Sequence, residues 1–235
     1  SSFLRRTNAG RYTQHALVRQ YAAGRLVEQA EEEETAARDR HSAYYGSLMA
    51  GLEAALTGTR QLEALLEIDA EIDNIRAGWH WAVVRRQTAV IGAYTSGLMH
   101  FYHIRGWHEE AVQMGAQAIA ILEGAGERDG ELLIVRLQTY QAGALQYLGK
   151  LAAAKRLLET SLDGARRLDS PADVAHALLN LGSGAVFEGA AQAGMEQFKE
   201  ALQIYESLDD YYGRVGALQC LGWAALTIDD AELAQ

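Results

Sequence analysis

A glycine-rich pattern that recurs about every forty residues is the feature that most constrains the fold of this chain. Its clearest copy contains Leu181-Gly182, then Gly189, Gly194 and Phe198. Leu221-Gly222 repeats the start of that copy. A period of this length is typical of stacked helical hairpins, because one hairpin alone cannot bury its apolar face and needs neighbours. The sequence therefore predicts an all-α solenoid, an architecture that usually presents a recognition surface.

The turn between the two helices of each hairpin is predicted at a recurring small residue. Gly106, Gly149 and Gly189 occupy this position, and Asp229 occupies it in the last copy, at spacings of 43, 40 and 40 residues. A Leu-Gly pair, a turn glycine and small and aromatic residues on the returning helix resemble the tetratricopeptide pattern. This resemblance implies a right-handed superhelix. The predicted repeats are 88–128, 131–169, 172–209 and 212–235, and the last repeat is cut off, so we expect a larger parent protein.

Packing explains the residue types of the third repeat. Gly182 and Ala201 are small enough to let the paired helices approach closely, and Phe198 fills the space between them. Ser170-Pro171 is a helix-start signal, with serine as the cap and proline at the first helical position. We therefore expect Gly182→Leu to overpack this contact.

The N-terminal part of the chain does not follow the repeat. A short hairpin is predicted over Phe3–Tyr12 with a turn at Asn8-Ala9-Gly10, followed by a helix over Gln14–Gln29. The run Glu31–Glu34 is expected to continue as a solvated helix or to end in a loop. Apolar residues at helical spacing then predict a helical hairpin between Ala36 and Arg86, interrupted at Gly58. The predicted units are thus 1–35, 36–87 and the repeats of 88–235.

Three segments of this N-terminal half resemble bacterial STAND-type signalling ATPases. The segment from Gly10 to Ala22, with His15 and an Arg-Gln-Tyr-Ala string, is similar to the end of their winged-helix module. The segments 41–45 and 66–77, the second followed by two tryptophans, resemble the helices that join such ATPases to their C-terminal repeats. The resemblance implies that residues 1–35 are a winged-helix remnant and that residues 36–87 connect it to a sensor array.

The resemblance also implies a role. In that family a sensor array controls a nucleotide-binding core, and an attached effector domain, often a transcriptional regulator, carries the output. The array of this chain is therefore expected to contact such a core within the same protein. No Gly-x-x-x-x-Gly-Lys-Ser/Thr loop occurs in the sequence, so this chain is not expected to bind or hydrolyse ATP itself. The glycine-rich segment 124–127 lacks the lysine and is interpreted as a loop between hairpins.

Composition narrows the possible partners and compartments. The formal net charge of −10 argues against a nucleic-acid surface, which needs a concentrated basic face. Cys220 is the single cysteine, so no disulfide can form within the chain, and this favours a cytoplasmic protein. No apolar run approaches the roughly twenty residues that span a membrane. Neither nucleic acid nor membrane is an expected partner of this chain.

Candidate chemistry is sparse. His100 and His103 are three residues apart and could share a helix face with metal-ligand geometry, or they could simply line the inner surface of the array. His108 lies beyond the turn glycine, so its side chain is expected to point elsewhere. No nucleophile elbow, catalytic triad or His-Glu-x-x-His motif is present. We expect no catalytic residue, no metal site, no cofactor and no enzymatic activity.

The concave face of the array is the predicted binding surface. In tetratricopeptide arrays the first helix of each pair lines this face, and aromatic residues there are typical of recognition sites. The predicted contact residues are Ser96, His100, His103, Tyr140, Gln141, Tyr147, His176, Asn180, Ser183, Gln219 and Trp223. This polar and aromatic set suits a peptide, a partner helix or a small polar ligand better than an acidic tail.

Two functions remain open at this point. One is a non-catalytic sensor or regulatory module of a larger signalling ATPase or transcriptional regulator, binding an inducer or a protein partner. The other is a plain tetratricopeptide scaffold for protein assembly with no sensing role.

Overall fold

The N-terminal hairpin consists of two short strands. The computed structural model describes residues 4–6, 12–14, 17, 18, 20, 21, 24, 31–124 and 127–233. Strand β1 (Leu4–Arg6) pairs antiparallel with β2 (Tyr12–Gln14). The predicted turn at residues 8–10 lies outside the described residues. Because Gln14 is in a strand, the helix predicted from Gln14 begins later, and residues 17, 18, 20, 21 and 24 are helical. The rest of that predicted helix is not described.

Helices make up the remainder of the described chain. They are α1 (Glu31–Leu56), α2 (Gln61–Val84), α3 (Thr88–Arg105), α4 (His108–Leu122), α5 (Arg128–Tyr147), α6 (Leu151–Arg167), α7 (Pro171–Phe187), α8 (Ala191–Ser207) and α9 (Tyr211–Leu233). Each helix packs against the next one in sequence. The architecture is a helical repeat, as the glycine period predicts. In the described part of the chain, no helix is long and apolar enough to cross a membrane.

A tightly packed contact joins α1 and α2 to the first repeat helix, α3. Tyr94 is fully buried, and its hydroxyl donates a 2.8 Å hydrogen bond to the carbonyl of Ser42. The Ser42 hydroxyl in turn donates to the carbonyl of Gly78 at 2.7 Å. A side chain at position 78 would collide with Tyr94, so glycine is needed where the three helices meet. The glutamate run at residues 31–34 belongs to α1, in which acidic side chains favour the helix N-terminus.

The three turn glycines lie where their spacing predicts. Gly106, Gly149 and Gly189 follow α3, α5 and α7, with φ of 71°, 71° and 81°. In each turn the next residue donates its backbone N–H five residues back, as Lys150 does to Leu145 at 2.9 Å. This is the Schellman arrangement, in which a left-handed residue satisfies the last carbonyls of the helix. Glycine adopts this conformation without the strain of a Cβ atom.

Three connections between one pair of helices and the next, those before α3, α7 and α9, use the same arrangement without glycine, whereas Gly124, with φ of 83°, lies in the connection after α4. Arg86, Asp169 and Asp209 have φ of 53°, 50° and 52°. Gln87, Ser170 and Asp210 then donate to the carbonyls five residues before them. These three turns are therefore invisible to a search for glycines, although their backbone geometry is the same.

Two glycines bring α7 and α8 close together. A Cβ atom on Gly182 would lie 2.7 Å from Cδ1 of Phe198 and 3.0 Å from the carbonyl oxygen of Gly194. A Cβ atom on Gly194 would lie 2.7 Å from the carbonyl oxygen of Gly182. The predicted start of α7 is also confirmed, because Pro171 is its first residue. The hydroxyl of Ser170, however, donates to the carboxylate of Asp173 at 2.6 Å instead of capping a backbone N–H.

The turn predicted at Asp229 is wrong. Helix α9 continues without interruption through this position to Leu233. The three confirmed turns carry glycine, which adopts the left-handed conformation most readily. Aspartate leaves the outcome to its surroundings: Asp169 and Asp209 adopt the conformation, whereas the helix continues through Asp229.

The odd-numbered repeat helices pack against one another across the repeat boundaries. Helix α5 contacts α3 and α7, and α7 also contacts α9. We call these four helices, α3, α5, α7 and α9, the inner helices. Side chains from different repeats therefore meet along their shared side.

Candidate ligand-binding cavity on the inner helices

A cavity of about 440 Å³ lies between the inner helices. It is lined by Met99, His100, His103, His108, Ala111, Tyr140, Gly143, Ala144, Gln146, Tyr147, His176, Asn180, Ser183, Phe187, Cys220 and Trp223. Eight of these residues carry aromatic or imidazole rings. Within the described chain, no aspartate, glutamate, lysine or arginine belongs to the lining. The volume falls in the range of small-molecule sites in proteins.

Eight of the predicted contact residues line this cavity. They are His100, His103, Tyr140, Tyr147, His176, Asn180, Ser183 and Trp223. The other three predicted residues do not. Ser96 lies behind the lining and bonds to Tyr140, Gln141 donates to the carbonyl of Val112 at 3.2 Å, and Gln219 is an exposed residue outside the lining. The structure thus brings most of the predicted surface into one enclosed site.

Reciprocal amide contacts fix the spacing of α5 and α7 below the cavity. Gln146 donates a 2.7 Å hydrogen bond to the carbonyl of Asn180. Its amide nitrogen also lies 2.6 Å from the position that a Cβ atom on Gly184 would occupy. The amide oxygen of Asn180 lies 2.9 Å from the corresponding position on Gly143. The two glycines admit these amides between the helices, so each helix carries a glycine opposite an amide of the other. The wall of the cavity is therefore held by polar contacts as well as by apolar packing.

An inner row of rings crosses three repeats. Tyr140 lies between His100 and His176, with ring centroids 5.8 Å and 4.8 Å away, both nearly perpendicular to it. The Tyr140 hydroxyl donates to the hydroxyl of Ser96 at 2.9 Å, and Ser96 donates to the carboxylate of Glu53 at 2.6 Å. These bonds hold the Tyr140 ring at a fixed angle, so this row is pre-organised.

An outer row of rings lies nearer the solvent. Tyr147 stacks on His108 at 4.9 Å with an interplanar angle of 10°, and the ring of His103 lies 4.7 Å from it. Phe187 joins Tyr147 to Trp223 through ring contacts of 6.0 Å and 5.3 Å. Tyr147, Phe187 and Trp223 remain 55%, 43% and 37% exposed. A row of half-exposed rings at the mouth of a cavity is typical of a recognition site.

His108 was expected to point away from this surface, and that prediction is wrong. The turn at Gly106 returns the chain so tightly that the first residue of α4 lies against Tyr147. Phe187 was not predicted, although the repeat contained a signal for it: Phe187 is two residues before Gly189, as Tyr147 is before Gly149. Met99, Ala111, Gly143, Ala144, Gln146 and Cys220 were also missed. They carry no sequence signal of binding because they are small, apolar or amide side chains.

Burial keeps several titratable groups of the cavity neutral. Desolvation, followed by repulsion from His100, lowers the pKa of His176 to about 4. The ring of His103 lies against Tyr147 and His108, and this partial burial, with the nearby His108 and His100, lowers its pKa below 6.5. Burial raises the pKa of Tyr140 to about 12 and also raises the pKa values of Tyr147 and Cys220. At neutral pH His103 and His176 are therefore neutral imidazoles and Tyr140 and Tyr147 are neutral phenols, which can donate and accept hydrogen bonds.

A metal site does not emerge from this arrangement. Among the residues that the structure describes, no group of three or more histidine, cysteine, aspartate or glutamate side chains is placed to hold a metal ion. The histidines are instead spread along two rows of rings. The geometry is suited to stacking and hydrogen bonding with a bound molecule.

Comparison with known proteins supports the fold and leaves the family open. No family model matches the chain, and no curated protein matches it. Among solved structures, the crystal structure of BtubC (BKLC) from P. vanneervenii is similar, with a TM-score of 0.56 and 21% sequence identity. The match covers 92% of this chain and 86% of that chain. A likeness at this identity concerns the fold, and it agrees with a helical-repeat architecture.

Proposed function

We propose that this chain is a sensor module that binds a small inducer in the cavity of the inner helices. In this proposal the repeats are of the tetratricopeptide type, wind as a right-handed superhelix, and belong to a bacterial STAND-type signalling ATPase or transcriptional regulator. The N-terminal strands and the helix after them are the end of a winged-helix module. The observation that carries the binding role is the cavity itself, about 440 Å³ in volume and lined by rings from different repeats.

The placement of the cavity supports a sensing role. Its lining residues come from α3, α4, α5, α7 and α9, and α3 also packs on α1, the helix that leads toward the N-terminal segment. A ligand that contacts all these helices favours the arrangement in which they are correctly spaced. Such a ligand shifts the conformational equilibrium of the array toward that arrangement. Helix α1 offers a physical route by which this change could reach a nucleotide-binding core.

A plain scaffold is the second candidate, favoured by exposed apolar side chains on the last helix. Tyr211, Tyr212, Leu218 and Leu226 of α9 are between 56% and 66% exposed. Such side chains are typical of protein interfaces. A scaffold would bind its partner through surfaces of this kind and would leave the cavity without a ligand.

A fragment screen separates the two candidates. Small molecules of diverse chemistry would be screened by ligand-observed NMR against the wild-type chain and against Tyr147→Ala and Trp223→Ala variants. Tyr211→Ala is the matched control, because Tyr211 is 63% exposed and outside the cavity. We expect fragments whose signals weaken in the two cavity variants and persist in the control.

The same fragments should raise the melting temperature of the wild-type chain by mass action. None of the three substituted side chains belongs to the buried core, so we expect the variants to keep their helical spectrum and their cooperative unfolding. Fragments that bind equally well to the cavity variants, or no binding fragment at all, would rule out the sensor function and favour the scaffold.

A further inference from the structure

The chemistry of the cavity restricts what it can bind, and the first restriction is shape. The rings of the inner row stand nearly perpendicular to one another, and those of the outer row meet at 10° to 73°. Rings fixed at several angles offer both faces and edges to a flat molecule, which prefers stacked or edge-to-face contacts. A saturated ring of the same volume is thicker and has no π-face. The geometry therefore favours a planar aromatic ligand.

The second restriction is charge. Four imidazoles line the cavity, and no carboxylate of the described chain joins them. The nearest carboxylates already have partners: Asp173 is paired with Arg136 at 2.9 Å, and Glu53 accepts the Ser96 hydroxyl. A cation would find no counter-charge in the lining, whereas an anion would find imidazoles that gain a proton. An acidic ligand is thus favoured over a basic one.

The third restriction is hydrogen bonding. In the part of the chain that the structure describes, the ring nitrogens of His103, His108 and His176 and the hydroxyl of Tyr147 make no hydrogen bond to another protein group. A polar atom in a partly buried site destabilises the folded chain unless it has a hydrogen-bond partner. These unpaired donors are available to an acidic group, while Gln146 is occupied by Asn180.

Taking the three restrictions together, we infer that the cavity binds a planar aromatic acid, with its ring among the aromatic side chains and its carboxylate among the imidazoles of the lining. This inference rests on the proposed inducer-binding function and names the chemical class of the inducer. The bound acid would be held by charge-assisted hydrogen bonds from imidazolium groups, which are stronger than neutral ones.

Ligand binding is expected to take up protons, because two histidines of the cavity are neutral before the ligand binds. Charged and titratable groups surround His103 and His176 on six helices. They are Glu53 on α1, His100 on α3, His108 on α4, Arg136, Tyr140 and Tyr147 on α5, Asp173 on α7 and Cys220 on α9. Within this set His103 and His176 are neutral at pH 7 without ligand, because their pKa values are lowered. A bound carboxylate raises both pKa values, so binding takes up protons and tightens as the pH falls below neutrality.

Four probes of similar size test the inference. They are indole-3-carboxylate, its neutral carboxamide, the cationic 3-(aminomethyl)indole and the saturated bicyclic octahydroindene-1-carboxylate. Affinity would be measured by calorimetry at pH 6 and pH 8, in buffers of different ionisation enthalpy to count protons. We expect the indole acid to bind about tenfold more tightly than each other probe, which corresponds to about 1.4 kcal/mol. Its affinity should be higher at pH 6, with net proton uptake.

Variants locate the acid group. His103→Gln and His176→Gln should each weaken the indole acid at pH 6 by about tenfold and leave the carboxamide little changed, since only the acid uses imidazolium. His80→Gln is the matched control, because His80 is exposed on α2 and outside the cavity. His103 lies outside the buried core, so His103→Gln is expected to fold even if His176→Gln does not.

The outcomes separate this inference from the proposed function. If the amine, the carboxamide or the saturated acid binds in the cavity as tightly as the indole acid, the chemical class is wrong while ligand binding stands. The proposed class of ligand would also be wrong if binding took up no protons, or if His80→Gln weakened the binding of the indole acid as much as the cavity variants do. If neither these probes nor any screened fragment binds in the cavity, the proposed function itself is wrong.

Discussion

At the residue scale, the same Leu-Gly pair has different consequences in two repeats. Gly182 is buried against Phe198, a fully buried ring, and against the backbone of Gly194. Gly222 stands at the corresponding place in α9, but an added Cβ atom there would meet nothing within 4 Å. One glycine is therefore required by packing, and the other is not. A sequence pattern identifies both positions without distinguishing them.

Gly182→Leu should destabilise the chain by about 2–3 kcal/mol, because neither the buried ring of Phe198 nor the backbone of Gly194 can move aside without disturbing α7 and α8. Urea unfolding followed by circular dichroism measures the change. Gly222→Leu is the control and should not destabilise the chain; we expect it to raise the free energy of unfolding by up to about 1 kcal/mol, because a helix interior favours leucine over glycine. Equal effects of the two substitutions would show that the close approach of α7 and α8 is not what requires glycine.

His176 should make stability depend on pH in a defined direction. Its pKa is about 4 in the folded chain against the usual 6.5, so the unfolded chain binds more protons between these values. The stability that this histidine contributes is complete above about pH 6.5 and is lost as the pH falls toward 4. His176→Gln should reduce the loss of unfolding free energy between pH 7 and pH 5 by about 1–2 kcal/mol. A loss unchanged from wild type in urea titrations would contradict this.

At the element scale, one turn geometry ends most of the helices. Glycine provides it within the helix pairs, at Gly106, Gly149 and Gly189, whereas arginine and aspartate provide it between pairs. The backbone bonds are the same in both cases. Because the turns before α3, α7 and α9 use arginine or aspartate, the glycine period is about forty residues while a turn occurs about every twenty.

Gly149→Ala tests the backbone contribution of such a turn. An added Cβ atom at this position meets nothing within 4 Å, so any loss of stability comes from the left-handed backbone alone. We expect destabilisation of about 1–2 kcal/mol by thermal and urea unfolding. Gly51→Ala, inside α1 and also free of contacts, should instead stabilise the chain by about 0.5–1 kcal/mol. Stabilisation by both changes would show that the turn does not require positive φ.

At the scale of the whole molecule, the cavity depends on the stacking of successive repeats. His100, Tyr140 and His176 belong to α3, α5 and α7, and their rings meet only because these helices pack side by side. The contacts of Gln146 and Asn180 at Gly184 and Gly143 set the spacing of α5 and α7. The site is therefore a property of the array, and no single hairpin contains it.

The whole chain should not bind ATP, since its sequence has no phosphate-binding loop with a lysine, and no lysine or arginine of the described chain lines the cavity. Calorimetry with ATP and Mg²⁺ should give no saturable heat at micromolar concentrations. An aromatic acid that binds the cavity serves as the positive control. Saturable ATP binding that is lost in Tyr147→Ala would place the nucleotide in the cavity and would contradict the prediction that this chain does not bind ATP.

The sequence by itself determined the all-α repeat, the three glycine turns and the helix start at Pro171, because these depend on local backbone preferences that residue types carry directly. It also predicted eight residues of the cavity, through the rule that the first helix of each pair faces inward. The tertiary structure alone decided that His108 joins the site and that Ser96, Gln141 and Gln219 do not. Those outcomes depend on distances between helices that are far apart in sequence, and a repeat period fixes register along the chain but not the depth or angle at which neighbouring helices pack.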